Sequence, residues 1–218
     1  MRIFPDIETV GTTDPAVIER IAAGIKPPGN LKKAESIEKW IAEEKQAAVD
    51  EAVRKTAFDG TYGRIVCIGY AIDDKSALAA CGEDEAQLIR GFYAALAEHY
   101  DHRFGVTVVG HNVLGFDLKF LWQRSVVHNI QPPKYIPFKA KPWDGQVFDT
   151  MVEWNSDKDR RISLDSLCKT LGITSPKGEL DGSKVGEYFQ AKRYEEIATY
   201  CAGDVEATRK VYQRLTFA

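Results

Sequence analysis

Apolar residues recur along this chain with two periods, which predict its strands and helices. Short apolar runs are typical of strands. One starts at about residue 1, and the others lie at 64–72, 76–81, 106–109 and 147–149. Apolar residues three or four apart are typical of helices. They predict helices at 14–24, 31–56, 83–100, from about 115, and at 151–154, 163–171, 183–189 and 194–215.

The order of these elements predicts an α/β fold. Three strands form an antiparallel meander, and helix, strand, helix and strand follow before a helical C-terminal part. This order is typical of a mixed five-stranded sheet, with two further parallel strands and helices on its faces. The chain has no internal repeat and no low-complexity tract, so we expect one domain at 1–218, with a helical insertion at about 14–57 after the first strand.

The insertion contains the longest of its predicted helices at residues 31–56. Glutamate and lysine fill one face of this helix, and apolar residues fill the other. The apolar positions are Ile37, Trp40, Ile41, Ala48 and Ala52. Two interpretations stay open: a solvated helix that packs on the domain by one stripe, or a lid or arm beside the acidic site. The helix is also a candidate surface for a protein partner or for self-association.

The charge balance and the cysteines limit the class of protein. Lysine and arginine number 29 against 32 aspartates and glutamates, a formal net charge of −3. This balance speaks against a non-specific duplex binder, although a nuclease with an acidic active site is compatible with it. The four cysteines show no metal-ligand spacing and predict buried thiols in a reducing compartment. We see no signal peptide and no membrane span, and expect a cytoplasmic location.

Two carboxylates stand side by side at the end of the first predicted strand. Side chains two residues apart share a face of a strand, so Asp6 and Glu8 point in the same direction. Like charges at that distance repel, and a cation would neutralise them. Asp-x-Glu also occurs by chance in solvated turns, so the interpretation depends on the rest of the chain.

Two later segments supply further acids. Asp117 lies in the first turn of a helix, just beyond the C-terminal end of the strand at 106–109, where open α/β sheets bind ligands. Asp204 follows Tyr200 by four residues on the last helix, so the two share a face. Each acid has a simpler interpretation, a helix-start acid for Asp117 and an exposed acid for Asp204. The joint occurrence of all four acids indicates a site.

Three motifs together resemble the DEDD superfamily of 3′→5′ exonucleases, which have a ribonuclease-H-like fold. They are D-x-E-T at 6–9, N-x-x-x-F-D at 112–117 and Y-x-x-x-D at 200–204. Tyr200 marks the DEDDy branch, whereas the DEDDh branch has histidine at the position of Thr199. The resemblance is strongest to the proofreading exonuclease domain of family-B DNA polymerases and to stand-alone proteins similar to it.

The resemblance covers most of the chain outside residues 16–60. Further positions that look like this group are 163–167, 171–172, Lys177 and 181–183. Pro5 departs from the pattern, because proline removes a backbone donor from a central strand. It predicts a local bend just before Asp6.

The resemblance implies a two-metal site, and the chemistry of phosphodiester hydrolysis agrees with it. Two divalent ions about 4 Å apart supply a hydroxide, hold it in line and neutralise the developing charge. Oxygen ligands suit Mg²⁺ or Mn²⁺. Asp6 is implied to bridge both ions, Glu8 and Asp204 to hold the ion that activates water, and Asp117 to hold the other. Tyr200 is implied to orient the water, since an ordinary tyrosine with a pKa near 10 is a poor base.

The resemblance also implies which residues contact the nucleic acid. Thr9 and Val10 would contact the 3′ end, Asn112 would form hydrogen bonds with the terminal nucleotides, and Phe116 would pack on a base or sugar. Core packing is an open alternative for Phe116. Asp149 resembles a secondary acidic position near the site.

These observations predict a metal-dependent 3′→5′ exonuclease that releases nucleoside 5′-monophosphates from single-stranded DNA with a free 3′ end. A chain of 218 residues leaves no room for a polymerase, so we expect any proofreading to act in trans. DNA repair, replication support and end trimming are all open. The alternatives are a 3′→5′ exoribonuclease of the same fold and a catalytically inactive nucleic-acid-binding module. The presence of all four carboxylates and the tyrosine speaks against the inactive module.

Overall fold

A computed structural model of the chain describes residues 1–156, 160–175 and 178–218. Lys177, one of the positions of resemblance, lies outside these residues. The chain divides into two compact units, one of Met1–Thr9 with Ile65–Ala218 and the other of Val10–Arg64. Whether the whole chain acts as one domain stays a prediction. No helix that the structure describes is long and apolar enough to cross a membrane.

Five strands form one mixed sheet in the order β3-β2-β1-β4-β5. They are β1 (Arg2–Val10), β2 (Arg64–Ile72), β3 (Leu78–Cys81), β4 (Thr107–Gly110) and β5 (Val147–Asp149). β4 runs parallel to β1 and β5, while β3 runs antiparallel to β2. The Asp73 amide donates to the Arg2 carbonyl, so the end of β2 lies beside the start of β1 and these two strands are also antiparallel. The predicted mixed five-stranded sheet is confirmed.

Helices cover the sheet in the first unit. They are α4 (Glu85–Ala97), α5 (Asp117–Val127), α6 (Thr150–Asn155), α7 (Leu164–Leu171), α8 (Val185–Gln190) and α9 (Tyr194–Thr216). The longest of these, α9, contacts β3 and β4 and also α6, α7 and α8. The Ser163 side chain caps α7, and Gly172 ends it with a left-handed φ of 67°, as their positions in the sequence predict.

The alternation of side chains along β1 determines which of them face α9. Ile3 and Ile7 lie in the main apolar core with residues of α4 and α5. Phe4 lies in a separate cluster with Val205 of α9. Asp6 and Glu8, at even positions like Phe4, are therefore directed to the α9 side of the sheet. The alternation of side chains along β1 thus explains why Asp6 and Glu8 lie outside the main apolar core.

β1 continues through Pro5 without a break. Its pairing with β4 is registered at Arg2 with Thr107 and at Ile3 with Val108, before the proline is reached. The missing donor of Pro5 therefore does not interrupt this pairing, and the strand extends past it to Val10.

The second unit is helical. It contains α1 (Pro15–Gly24), α2 (Ala34–Glu43), α3 (Lys45–Lys55) and a 3₁₀ turn at Thr56–Phe58. The Asp14 side chain accepts from the Ala16 amide at 2.9 Å and caps α1.

The prediction of one helix over 31–56 is wrong, because the chain breaks at Glu44 between α2 and α3. The buried residues of these helices, Trp40 and Val49, explain the break. Nine residues apart, at 3.6 residues per turn, they would lie on opposite sides of a continuous helix. The break at Glu44 allows both side chains to be buried.

Candidate active site

Three distant segments bring the four predicted carboxylates together around β1. Asp6 and Glu8 lie on β1, Asp117 begins α5, and Asp204 lies on α9. The charges of Asp117 and Asp204 both contribute to the raised pKa values of Asp6 and Glu8, so the four acids share one electrostatic environment.

The pKa values of the two β1 carboxyls are raised well above their usual range. Burial is the largest cause for both. The charge of Glu8 raises the pKa of Asp6 further, and the charge of Asp204 raises that of Glu8. Glu8 exposes only 8% of its surface, so water does little to stabilise its charged form.

Asp117 is held at the start of α5 by a hydrogen bond from β1. The Ile7 amide donates to its Oδ1 at 3.1 Å. The pKa of Asp117 is raised to about 8, mainly by burial and also by the charges of Asp149 and Asp204. These effects outweigh the lowering by this hydrogen bond and by one from its own backbone. Asp117 is thus tied to the strand that carries Asp6 and Glu8.

The last helix approaches the sheet closely because β2 carries a glycine. A Cβ on Gly69 would lie 2.7 Å from the Cys201 sulfur, which is too close for any other residue type. At this distance from the sheet, the Cys201 thiol donates to Oδ2 of Asp6 at 3.3 Å. The helix therefore presents Tyr200 and Asp204, which flank this contact in sequence, to the acids of β1.

Tyr200 is hydrogen-bonded to the Asp204 side chain. Burial and then the charges of Asp204 and Glu8 raise the pKa of the Tyr200 phenol above its usual range. The phenol therefore keeps its proton at neutral pH. It is available as a hydroxyl partner for water or substrate and is unsuited to act as a base.

Asp149 supports the loop between β4 and α5. Its carboxylate oxygens accept from the amides of Asn112 at 2.9 Å and Leu114 at 3.1 Å, and from Met151, where it caps α6. The predicted auxiliary acid thus holds the loop through hydrogen bonds, and its charge also acts on Asp117.

Asn112 has a left-handed backbone, with a φ of 60°. Its carbonyl accepts from the amides of Gly115 and Phe116 at 3.0 and 2.9 Å. Its side-chain oxygen lies so close to the Cα of Gly115 that a Cβ there would overlap it. These contacts form a tight turn that leads into Asp117.

The remaining predicted substrate contacts lie close to these residues in sequence. Phe116 is half-buried and packs on Phe120, with ring centroids 5.4 Å apart. Thr9 is half-buried, and the Val10 side chain exposes 7% of its surface. The contacts of Thr9, Val10, Asn112 and Phe116 with nucleic acid stay predictions.

The composition of the site favours a divalent cation. Ligand atoms of Asp6, Glu8 and Cys201 all lie within 4.8 Å of one another. Within the part of the chain that the structure describes, the neighbours that shift the pKa of Asp6 and Glu8 are acids and thiols, and none is a cation. A bound cation would offset this repulsion. The prediction from sequence missed Cys201, although it directly follows Tyr200.

We expect divalent cations to stabilise the protein more at about pH 8 than at about pH 5.5. The raised pKa values of Asp6, Glu8 and Asp117 mean that the folded protein holds protons which the unfolded chain releases near pH 4. Without metal, this contribution to stability is present at acid pH and is lost as pH rises toward about 8. Thermal unfolding with and without millimolar Mn²⁺ measures the effect. An equal increase in melting temperature at both pH values would contradict it.

Two comparisons relate this chain to known proteins. Residues 60–218 match the model of a family described as predicted 3′-5′ exonucleases related to the exonuclease domain of PolB. The fold is similar to that of the family B DNA polymerase from the hyperthermophilic archaeon Pyrobaculum calidifontis, with a TM-score of 0.59 and 18% identity. The similarity covers 99% of this chain and 24% of the polymerase, so the chain spans about a quarter of that protein's length. No curated protein matches the chain.

The two comparisons support different statements. The similarity to the polymerase, at less than one fifth sequence identity, shows the fold alone. It confirms the predicted ribonuclease-H-like architecture. The family match covers β2 to the end of the chain, including Asp117, Tyr200 and Asp204. This chain therefore belongs to the family of predicted 3′-5′ exonucleases related to the exonuclease domain of PolB.

Proposed function

We propose that this chain degrades single-stranded DNA from the 3′ end in a metal-dependent reaction that releases nucleoside 5′-monophosphates. The observation that supports the proposal is the grouping of Asp6, Glu8, Asp117 and Asp204, in which neighbouring charges raise the pKa values of Asp6, Glu8 and Asp117. A group of mutually repelling buried acids is costly for folding, and a site for divalent cations and phosphate explains it.

The four carboxylates would hold two divalent ions, Mg²⁺ or Mn²⁺. When bound, such ions lower the pKa of water and neutralise charge on the phosphate and the leaving oxygen. Asp117 is kept in place by the Ile7 amide, and Asp6 by the Cys201 thiol. The chain's own contribution is therefore to fix ligand oxygens on three different elements.

Tyr200 would orient the attacking water through its hydroxyl. Its raised pKa keeps the proton on the phenol, and its hydrogen bond to Asp204 fixes the position of the oxygen. Asn112 and Phe116, in the turn before α5, would hold the terminal nucleotides by hydrogen bonding and packing. Thr9 and Val10, at the end of β1, would contact the 3′ end.

Replacing Tyr200 with phenylalanine is expected to lower the turnover rate by about 10- to 100-fold. A group that transfers a proton typically contributes more, about 10²- to 10⁴-fold in rate. Because the phenol only orients water, the shape of the pH–rate profile should stay unchanged. Steady-state rates on single-stranded DNA across pH measure both. A rate equal to that of the wild type, or a shifted profile, would show that the hydroxyl has no such role.

The proposed reaction can be tested by identifying its products. The full chain is incubated with single-stranded DNA, with RNA of the same sequence and with duplex DNA, in Mg²⁺, Mn²⁺ or EDTA. We expect mass spectrometry to find nucleoside 5′-monophosphates, formed fastest from single-stranded DNA and absent in EDTA. Nucleoside 3′-monophosphates or products in EDTA would contradict the two-metal reaction.

The same experiment separates the alternatives. Faster degradation of RNA would indicate an exoribonuclease. Retention of intact DNA in a gel shift, with no product under any condition, would indicate a binding module. We further propose a role in DNA repair or replication, action in trans with a polymerase, a partner of the α2–α3 segment and a cytoplasmic location.

A further inference from the structure

Three cysteine side chains form a row from the edge of the sheet to Asp6. Cys81 on β3 is directly opposite Cys67 on β2, and the two thiols are hydrogen-bonded. Cys67 is also hydrogen-bonded to Cys201 on α9. Cys201 in turn donates to Oδ2 of Asp6 at 3.3 Å. Cys67 and Cys201 are fully buried, so the row lies inside the protein beneath the acids.

This row places sulfur next to the carboxylates. Ligand atoms of Asp6, Glu8 and Cys201 lie within 4.8 Å of one another, and Cys67 is in contact with Cys201. The carboxylates of Asp6 and Glu8 and the Cys201 thiol form a mixed donor set, and Cys67 is a further sulfur directly behind Cys201. Mg²⁺ takes oxygen ligands, whereas sulfur ligands select softer ions, and Zn²⁺ accepts both sulfur and carboxylate in a four-coordinate site.

The charges around the row favour the binding of such an ion. The groups that shift the pKa of Glu8 include Cys81 as well as Asp117 and Asp204, and each of them raises it. Binding of one Zn²⁺ through the Cys201 thiol releases one proton, so the site gains one positive charge, which offsets part of the repulsion between the acids.

We propose that Asp6, Glu8 and Cys201 bind one thiophilic divalent cation of the zinc class. This ligand set is distinct from the oxygen-only set of the proposed reaction, although it shares Asp6 and Glu8. Occupancy by the soft ion removes these two carboxylates from Mg²⁺ or Mn²⁺. Zn²⁺ therefore inhibits the reaction supported by Mg²⁺. The binding itself does not depend on the proposed function, and only the inhibition rests on it.

Cd²⁺ is the probe for the sulfur ligands, because its thiolate complexes absorb in the ultraviolet. We expect the full chain to bind one Cd²⁺ with a thiolate charge-transfer band. Cys201→Ser should lose most of the band and bind Cd²⁺ about tenfold more weakly or worse. Cys168→Ser is the matched control, because Cys168 is equally buried but packs in a different cluster, with Leu167 and Val211. It should keep both the band and the affinity.

A second measurement on the wild type avoids any dependence on the folding of variants. The ¹¹³Cd NMR shift separates sulfur ligands from oxygen ligands, and we expect it to indicate sulfur. A shift that indicates only oxygen ligands would overturn the proposal. So would a Cys201→Ser variant that binds Cd²⁺ as tightly as the wild type, or a Cys168→Ser variant that loses as much of the band as Cys201→Ser.

Failure of this inference can be told apart from failure of the proposed function. A protein that binds Cd²⁺ through sulfur but degrades no nucleic acid would support the thiol site and overturn the exonuclease. A nuclease supported by Mg²⁺ whose Cd²⁺ shows only oxygen ligands would overturn the thiol site alone. The inhibition is tested by the ratio of rates with and without micromolar Zn²⁺ in each variant, and it should be largest in wild type and Cys168→Ser.

Discussion

Replacing Asp6 with asparagine is expected to lower the rate of mononucleotide release by about 10³-fold or more, since metal-ion chemistry contributes several kcal/mol and each 1.36 kcal/mol is tenfold. Asparagine keeps the shape of Asp6 but removes the charge that the cation needs. The same change removes one of the mutually repelling acids, so the metal-free variant should be more stable than the wild type at about pH 8. Activity and stability should therefore change in opposite directions.

The expected loss is measured as the initial rate in Mn²⁺, and the stability as the free energy of unfolding in EDTA. Glu195→Gln is the control, because it removes an exposed acid from α9 and should change neither quantity appreciably. A variant at Asp6 that keeps more than about a tenth of the activity would show that this carboxylate is not an essential ligand.

Arg124→Met is expected to lower the free energy of unfolding by about 3–5 kcal/mol, because it leaves a buried carboxylate without its main partner. The Arg124 guanidinium donates to both oxygens of Glu85, at 2.9 and 2.8 Å. Glu85 also accepts from the Ile65 amide at 2.7 Å, so this group joins the starts of β2 and α4 to α5. Only 5% of Glu85 is exposed to solvent.

The pH dependence of this loss follows from the pKa of Glu85. Burial raises that pKa, but hydrogen bonds from Arg124 and His128 outweigh burial, so the pKa is lowered. The group therefore stabilises the fold above the pKa of about 4.3 that glutamate has in unfolded chains, and loses this effect as pH falls through the folded value. The difference between wild type and Arg124→Met should shrink over that acid range.

Urea unfolding followed by circular dichroism measures the loss. The double variant Arg124→Met with Glu85→Gln is the control, because it removes the uncompensated buried charge while the side-chain carbonyl of the new glutamine still accepts from the Ile65 amide. It should recover most of the loss. A single variant within about 1 kcal/mol of the wild type, or a double variant as unstable as the single one, would contradict this role.

Local patterns were sufficient to predict most of the sheet. The bounds of β2 agree with the predicted run at 64–72, because the apolar residues of the strand and the polar residues of the turn follow one another directly in the sequence. In a hairpin with its turn at 73–75, residues at equal distances from residue 74 are paired. Cys67 and Cys81 are each seven residues from it, so the sequence already implies that they pair. The thiol pair was therefore within reach of sequence reasoning, although it was not predicted.

Features that depend on packing were not predictable in the same way. The break at Glu44 follows from the burial of both Trp40 and Val49, which the apolar stripe alone does not reveal. The contact of Cys201 with Asp6 requires α9 to approach the sheet over Gly69. The hydrogen bonds of Asp149 depend on a loop that passes beside β5. The last two of these features depend on residues that lie far apart in the chain.

The most direct test of the proposed site uses one single-stranded DNA labelled at either its 5′ or its 3′ end. The strand is incubated in Mn²⁺ with the wild type, Asp204→Asn or the control Glu195→Gln. In wild type and control, we expect the 5′-labelled strand to shorten step by step and the 3′ label to appear at once as a mononucleotide. EDTA and Asp204→Asn should leave both strands intact. The reverse polarity, or undiminished degradation by Asp204→Asn, would contradict a 3′→5′ exonuclease at these carboxylates.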